Sequence, residues 1–163
     1  MSDKVNDQQV NDLLALIRTD ASVDTKVRDI TTVKSAIKQN NVPDTCVQNL
    51  FEICRLTLQA QQTQIVNAGF TTLTHLLTRL SRQEPKHLLR EAARTLPFIL
   101  DKIGDTKDKY RLLGSQCLTT FWGAAALEVE RAVKAHGLVG KHPRQKEACM
   151  KWLVSVSKRP TCL

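Results

Sequence analysis

The stretch Leu89–Trp122, LREAARTLPFILDKIGDTKDKYRLLGSQCLTTFW, decides the fold class. Its apolar residues recur three and four apart: Leu89, Ala92, Ala93, Leu96, Leu100 and Ile103, then Leu112, Leu113, Cys117, Leu118, Phe121 and Trp122. That spacing gathers each set on one face of an α-helix. Between the two sets, Gly104-Asp105 ends the first helix, since glycine accepts the backbone of a helix C-terminus. Pro97 falls inside that helix, where its missing N–H removes one backbone hydrogen bond and predicts a kink. Two amphipathic helices joined by a short turn make a hairpin, and other helices must stack on it to cover its apolar faces.

The same pattern continues in both directions. Toward the N-terminus run the stripes Val10, Leu13, Leu14, Ile17; Val27, Ile30, Val33, Ile37; Val47, Leu50, Phe51, Cys54, Leu58; and Val66, Phe70, Leu73, Leu77, Leu80. Pro43 is expected in the first turn of the third helix, where a missing N–H costs nothing. Toward the C-terminus come Leu127, Val129, Ala132 and Val133, stopping near Gly137, and then Ala148, Met150, Trp152, Leu153 and Val156 after Pro143. No strand-like alternation competes. The second helices of the four hairpins begin near Asp24, Gln64, Asp108 and Arg144, in steps of about 40 residues, the period of HEAT-type arrays. Asp20 and Lys26, like Asp105 and Arg111, stand six apart across a turn, as in the ladder of Asp and Arg/Lys that bridges neighbouring HEAT repeats. The expected fold is all-α, a HEAT-repeat α-solenoid of about four helical hairpins, each packed mainly on its neighbours.

Composition agrees. Aromatic residues are only 4% of the 163, so the core is expected to be built from Leu, Val, Ile and Ala. The five cysteines, Cys46, Cys54, Cys117, Cys149 and Cys162, are odd in number and form no CxxC pair, which argues for reduced thiols inside a cell rather than a disulfide framework. No apolar segment follows the start that could serve as a signal peptide, and no apolar run approaches the roughly 18 residues of a membrane span.

The residues of catalysis are not assembled. His75, His87, His136 and His142 are scattered, none in HExxH or a zinc spacing, and there is no Gly-rich phosphate loop or GxSxG. His75, amid the apolar residues of the fourth helix, reads as a packed core histidine, and Cys54 and Cys117 as small core hydrophobes. We expect no enzyme, cofactor, metal or small-molecule substrate.

Charge is unevenly placed. Residues 1–60 hold seven Lys and Arg against eight Asp and Glu, whereas residues 61–163 hold seventeen against eight. A basic half points to an acidic partner, or to nothing more than a well-solvated surface. The third intra-repeat turn, Asp105-Thr106-Lys107-Asp108-Lys109-Tyr110-Arg111, and the fourth, Gly140-Lys141-His142-Pro143-Arg144-Gln145-Lys146, concentrate that charge. Stacked turns would present these cations as an array of donors for carboxylates. A nucleic-acid role lacks stacking aromatics in the basic turns.

The runs Glu128–Val133, Gly140–Glu147 and Met150–Val154, with Leu100–Asp105 and Ser22–Val27, resemble the CLASP family of microtubule-associated proteins, nearest the first TOG array of its fungal members. The resemblance runs from about Leu13 to Val154. It implies a TOG-type HEAT array over residues 5–154, followed by a tail, 155–163, unlike the family. It also implies a role in microtubule stabilisation at the mitotic spindle and kinetochores, and a cytoplasmic, cytoskeletal location extending to the nucleus in mitosis. TOG arrays that bind tubulin use their intra-repeat turns. By that likeness Lys107, Lys109, Lys141, Arg144 and Lys146 are the candidate contacts for tubulin or another acidic protein, with no nucleic acid or membrane involved. A full array has six repeats, about 240 residues at the HEAT period, so four repeats read as a truncated array. The alternative is a generic HEAT adaptor that binds a non-tubulin protein through its helical face.

Overall fold

A computed structural model describes residues 3–139 and 142–157. Eight α-helices and no strand occur among them. The chain divides into two compact units, Met1–Glu91 and Ala92–Leu163.

The first unit holds α1 (Asp7–Ile17), α2 (Val23–Gln39), α3 (Asp44–Leu58), α4 (Thr63–Gln83) and the start of α5 (Lys86–Ile103). Two hairpins stack so that α1 lies on α3 and α2 on α4. The expected stripes supply the core: Val10, Leu13, Ile30, Val33, Ile37, Leu50, Phe51, Cys54, Phe70, Leu73 and Leu77 are all buried. Asn6 and Ser22 cap α1 and α2 by accepting from the N–H groups of Gln9 and Thr25, which satisfies donors a helix start leaves open. Gly69 of α4 is pressed against Thr57 of α3, and a methyl group there would overlap the threonine side chain. Only glycine lets the two helices approach so closely.

Several expectations need correction. Pro43 stands outside α3, as its N-cap with ψ 139°, and the first helical turn begins at Asp44. Asp20 and Lys26 form no ladder. The Lys26 ammonium instead donates to the carbonyl of Thr19 at 2.7 Å and tightens its own turn. The contacts that join the repeats come from residues the pattern did not mark. Arg79 of α4 donates to the carbonyls of Ile37 and Lys38 at 3.1 and 2.7 Å. Gln83 exchanges both amide hydrogen bonds with the backbone of Val42, at 2.8 and 2.6 Å. Arg55 of α3 is buried with Glu91 of α5, their charged groups 3.2 Å apart, and also pairs with Glu52 at 2.8 Å. His75 is half-buried rather than in the core.

The second unit holds the rest of α5, then α6 (Asp108–Ala124), α7 (Ala126–Ala132) and α8 (Pro143–Ser157). Pro97 lies within the unbroken span of α5. In α5 the expected Ala92, Leu96, Leu100 and Ile103 are buried, together with Leu88 and Ile99, whereas the expected Leu89 and Ala93 are exposed. In α6 the stripe is Tyr110, Gly114, Cys117, Leu118 and Phe121. This leaves Leu112, two residues or about 200° from Tyr110, on the outside. Helix α7 passes into a π-helical turn, Val133–Leu138, before the chain reaches α8.

Candidate functional site

Of the cations singled out in the sequence, Lys107, Lys109, Arg144 and Lys146 sit at the two turns of the second unit or the helix starts that follow them. In the third turn, Asp105 folds back on its own backbone: its carboxylate accepts the N–H of Lys107 at 2.9 Å, a local turn that asparagine and aspartate favour. Arg111, one turn into α6, donates to the carbonyls of Asp105 and Thr106 at 2.9 and 3.0 Å and pairs with Asp108. The expected Asp105–Arg111 ladder is therefore a clamp within one turn. It repeats what Lys26 does to the first turn.

Lys107 is the N-cap residue of α6, and its ammonium lies 5.1 Å from the centre of the Tyr110 ring. Lys102 approaches the same ring at 5.5 Å. An aromatic face attracts cations through its quadrupole, so the buried Tyr110 seats two ammonium groups at the turn. Lys109 is exposed with no ion pair or hydrogen bond to its ammonium among the described residues. Reading by residue type selected the lysines and missed Lys102 and Tyr110. The signal was the sole tyrosine of the chain, three residues after Lys107 and eight after Lys102.

The fourth turn leads into α8. Gln145, buried in the first turn of that helix, donates its amide to the carbonyl of Leu100 at 2.8 Å. Gly104 packs directly on the Gln145 backbone, where an added methyl would come within 2.7 Å of the Cα atom. These two contacts fasten the start of α8 to the end of α5 and hold the third and fourth turns side by side. Asp105, Thr106, His142 and Arg144 line the shallow depression between them, of about 600 Å³. Arg144 and Lys146 are exposed and without partners among the described residues. They flank Gln145 about 200° apart on the helix, so Arg144 faces the third turn and Lys146 the opposite flank. Lys141 lies outside the described residues.

A second, larger groove of about 810 Å³ runs between α6 and α8, lined by Leu112, Thr119, Arg144, Lys151 and Trp152 among others. Trp152 is held there by its indole N–H donating to Thr119 at 3.1 Å. Lys151 is engaged by Glu147 at 3.1 Å.

Three buried thiols among the described residues are held in their unreactive form. Burial pushes the thiol of Cys54 up to about 12 and those of Cys46 and Cys149 up to about 11; Cys46 also donates to Asp7. Such thiols stay protonated at neutral pH. Among the described residues no group of three His, Cys, Asp or Glu could hold a metal ion, and no helix is long and apolar enough to cross a membrane.

Comparison with known proteins identifies the family. The model of the family described as CLASP N terminal matches residues 6–161. The chain is 54% identical over 154 residues to protein stu-1 of Neurospora crassa, covering 94% of this chain and 14% of that protein. It is 52% identical over 153 residues to protein STU1 of Gibberella zeae, covering 94% and 13%, and 49% identical over 156 residues to protein STU1 of Chaetomium globosum, covering 96% and 14%. The chain thus spans about one seventh of the length of these relatives. No solved structure matches it. With its helical hairpins matched to the family over nearly their whole length, the chain belongs to the CLASP family.

Proposed function

We propose that this chain is a non-catalytic binding module that holds tubulin, in the dimer or the microtubule, through the turn edge of its second unit. The observation that carries the reading is the fastening of α8 to α5 by Gln145 and Gly104, which fixes Arg144 beside the turn that bears Lys107 and Lys109. The fastening fixes the backbone from which these cations project, so only their side-chain rotamers remain to be ordered when they pair with partner carboxylates. Lys141 belongs to the same edge by sequence. Membership of the CLASP family supports the choice of partner. It also supports a cytoskeletal setting, in which the full-length protein serves the mitotic spindle and kinetochores.

Co-sedimentation of the purified chain with microtubules, beside gel filtration with tubulin dimers, tests the reading. The reversal K107E/K109E/R144E/K146E should abolish binding, while K4E/R28E in the first unit should bind as the unaltered chain does. The variant Gly104→Ala changes no charge but drives a methyl into the Gln145 backbone. It should weaken binding by shifting one turn against the other. Full binding by the turn reversal would sink the turn-edge reading.

A second reading rests on the α6–α8 groove, where Leu112 is 60% exposed beside Trp152. An adaptor that grips a non-tubulin protein by its helical face would use this groove. Leu112→Asp should then abolish capture of that partner and leave microtubule binding intact.

A further inference from the structure

Away from the turns, we propose that the seam between α2 and α4 is a second binding face, where Lys34 and Lys38 of α2 and His75 and Arg82 of α4 receive an extended acidic segment of another polypeptide. This does not depend on the turn edge, which lies in the other unit.

The helical phase brings these residues together. Lys34 and Lys38 are one turn apart on α2, and His75 and Arg82 two turns apart on α4, within about 40° of a common line in each helix. Helix α2 packs on α4, and the bonds from Arg79 to the carbonyls of Ile37 and Lys38 fix their register. His75 feels the result. Its imidazole is held below the ordinary value of 6.5, first by desolvation and then by the charges of Lys38 and Lys34, so the two lysines stand within electrostatic reach of the ring.

The face is of one sign. Helix α4 has no Asp or Glu in its 21 residues. On α2, Asp29 is turned about 140° from Lys34 and is paired with Arg28, and Asp24 lies in the first turn, almost three turns away. Among the described residues the side chains of Lys34, Lys38 and Arg82 have no ion pair or hydrogen bond. Three unpaired cations and a suppressed imidazole are a repulsive arrangement that carboxylates relieve.

The chemistry of the seam selects the class of partner. It exposes no Phe, Tyr or Trp on which a base could stack, the usual device of single-strand nucleic-acid binding. None of the large exposed apolar residues, Leu89, Leu112, Leu127, Val139, Met150 and Val154, lies on α2 or α4, so nothing there would enter a lipid surface. From His75 to Arg82 is about 10.5 Å along α4, the reach of three to four extended residues at about 3.3 Å each. An acidic strand laid along the seam therefore meets a cation at about every second residue.

Fluorescence anisotropy of the whole chain with a fluorescein-labelled octaglutamate peptide tests this. We expect K34E/K38E to weaken binding at least about tenfold, and K4E/R28E, which changes the net charge equally but lies off both proposed faces, to change it by less than about twofold. Circular dichroism checks that each variant folds, with K34Q/K38Q as the milder replacement. In an NMR titration the pKa of His75 should rise when the peptide saturates the chain, because carboxylates offset the lysine charges. Absence of peptide binding, an equal loss of it in K4E/R28E, or a His75 pKa unmoved at saturation would each overturn the proposal. Tighter binding of a dT12 oligonucleotide or of phosphatidylserine vesicles, lost in K34E/K38E, would also overturn it by assigning the seam to another class of partner.

Discussion

Arg79 in the first unit and Arg144 in the second carry the same charge and differ in what holds it. The guanidinium of Arg79 is tied to two backbone carbonyls of the neighbouring hairpin, whereas that of Arg144 stands in solvent with no partner among the described residues. Arg55 resembles the first, locked between Glu52 and Glu91; Lys109 and Lys146 resemble the second. A count of basic residues treats these as equivalent. The structure divides them into cations that assemble repeats and cations left over for a partner, and the division predicts a graded series of mutational effects.

The largest effect belongs to Arg55. Arg55→Ala leaves Glu91, itself buried, with no counter-charge, and removing one member of a buried pair costs about 3–5 kcal/mol. Urea denaturation should show that loss, and the double variant R55A/E91Q should recover much of it, because the stranded carboxylate is then neutral. Equal stability of the single and double variants would show that packing by the arginine stem, not charge, is what Arg55 contributes.

Next comes Arg79→Met, which keeps the apolar stem and removes two charge-assisted bonds to carbonyls, at a cost of about 2 kcal/mol. The lost bonds join α2 to α4, so amide exchange should quicken at the ends of those helices before it does in α3. Arg111→Lys is smaller still. A lysine keeps the charge but cannot span the Asp105 and Thr106 carbonyls as a planar fork does, so about 1 kcal/mol is expected, together with weaker microtubule binding from a looser third turn.

The same division explains what the sequence disclosed. All eight helices were legible, with second-helix starts within a residue of Asp24, Gln64, Asp108 and Arg144, because three-and-four spacing follows from burial alone. The outward turn of Leu89, Leu112 and Met150 was not legible, since a run such as Leu88-Leu89 or Leu112-Leu113 fits two helical phases and only packing chooses between them. The inter-repeat bonds of Arg79, Gln83 and Gln145 were also hidden. A long polar side chain that reaches a backbone carbonyl leaves no mark in spacing. The basic turns were legible as a charge pattern. Their fastening by Gly104 and Gln145 was not, because it depends on a close approach between residues 41 apart in sequence.

The smallest effect on stability should come from the residues that matter most for binding. In K109E/R144E/K146E every altered side chain is exposed and none has a partner to lose among the described residues, so the unfolding free energy from urea denaturation should move by less than about 0.5 kcal/mol per substitution. Any shift should shrink as salt is added, since charges more than about 8 Å apart are screened at physiological ionic strength. Microtubule binding of the unaltered chain should fall over the same salt range, while the stability difference in Arg55→Ala should persist, its pair being shielded from solvent. If the turn reversal unfolds the chain as readily as Arg55→Ala does, the turn cations are structural after all, and the distinction between engaged and free charge fails where the binding proposal needs it.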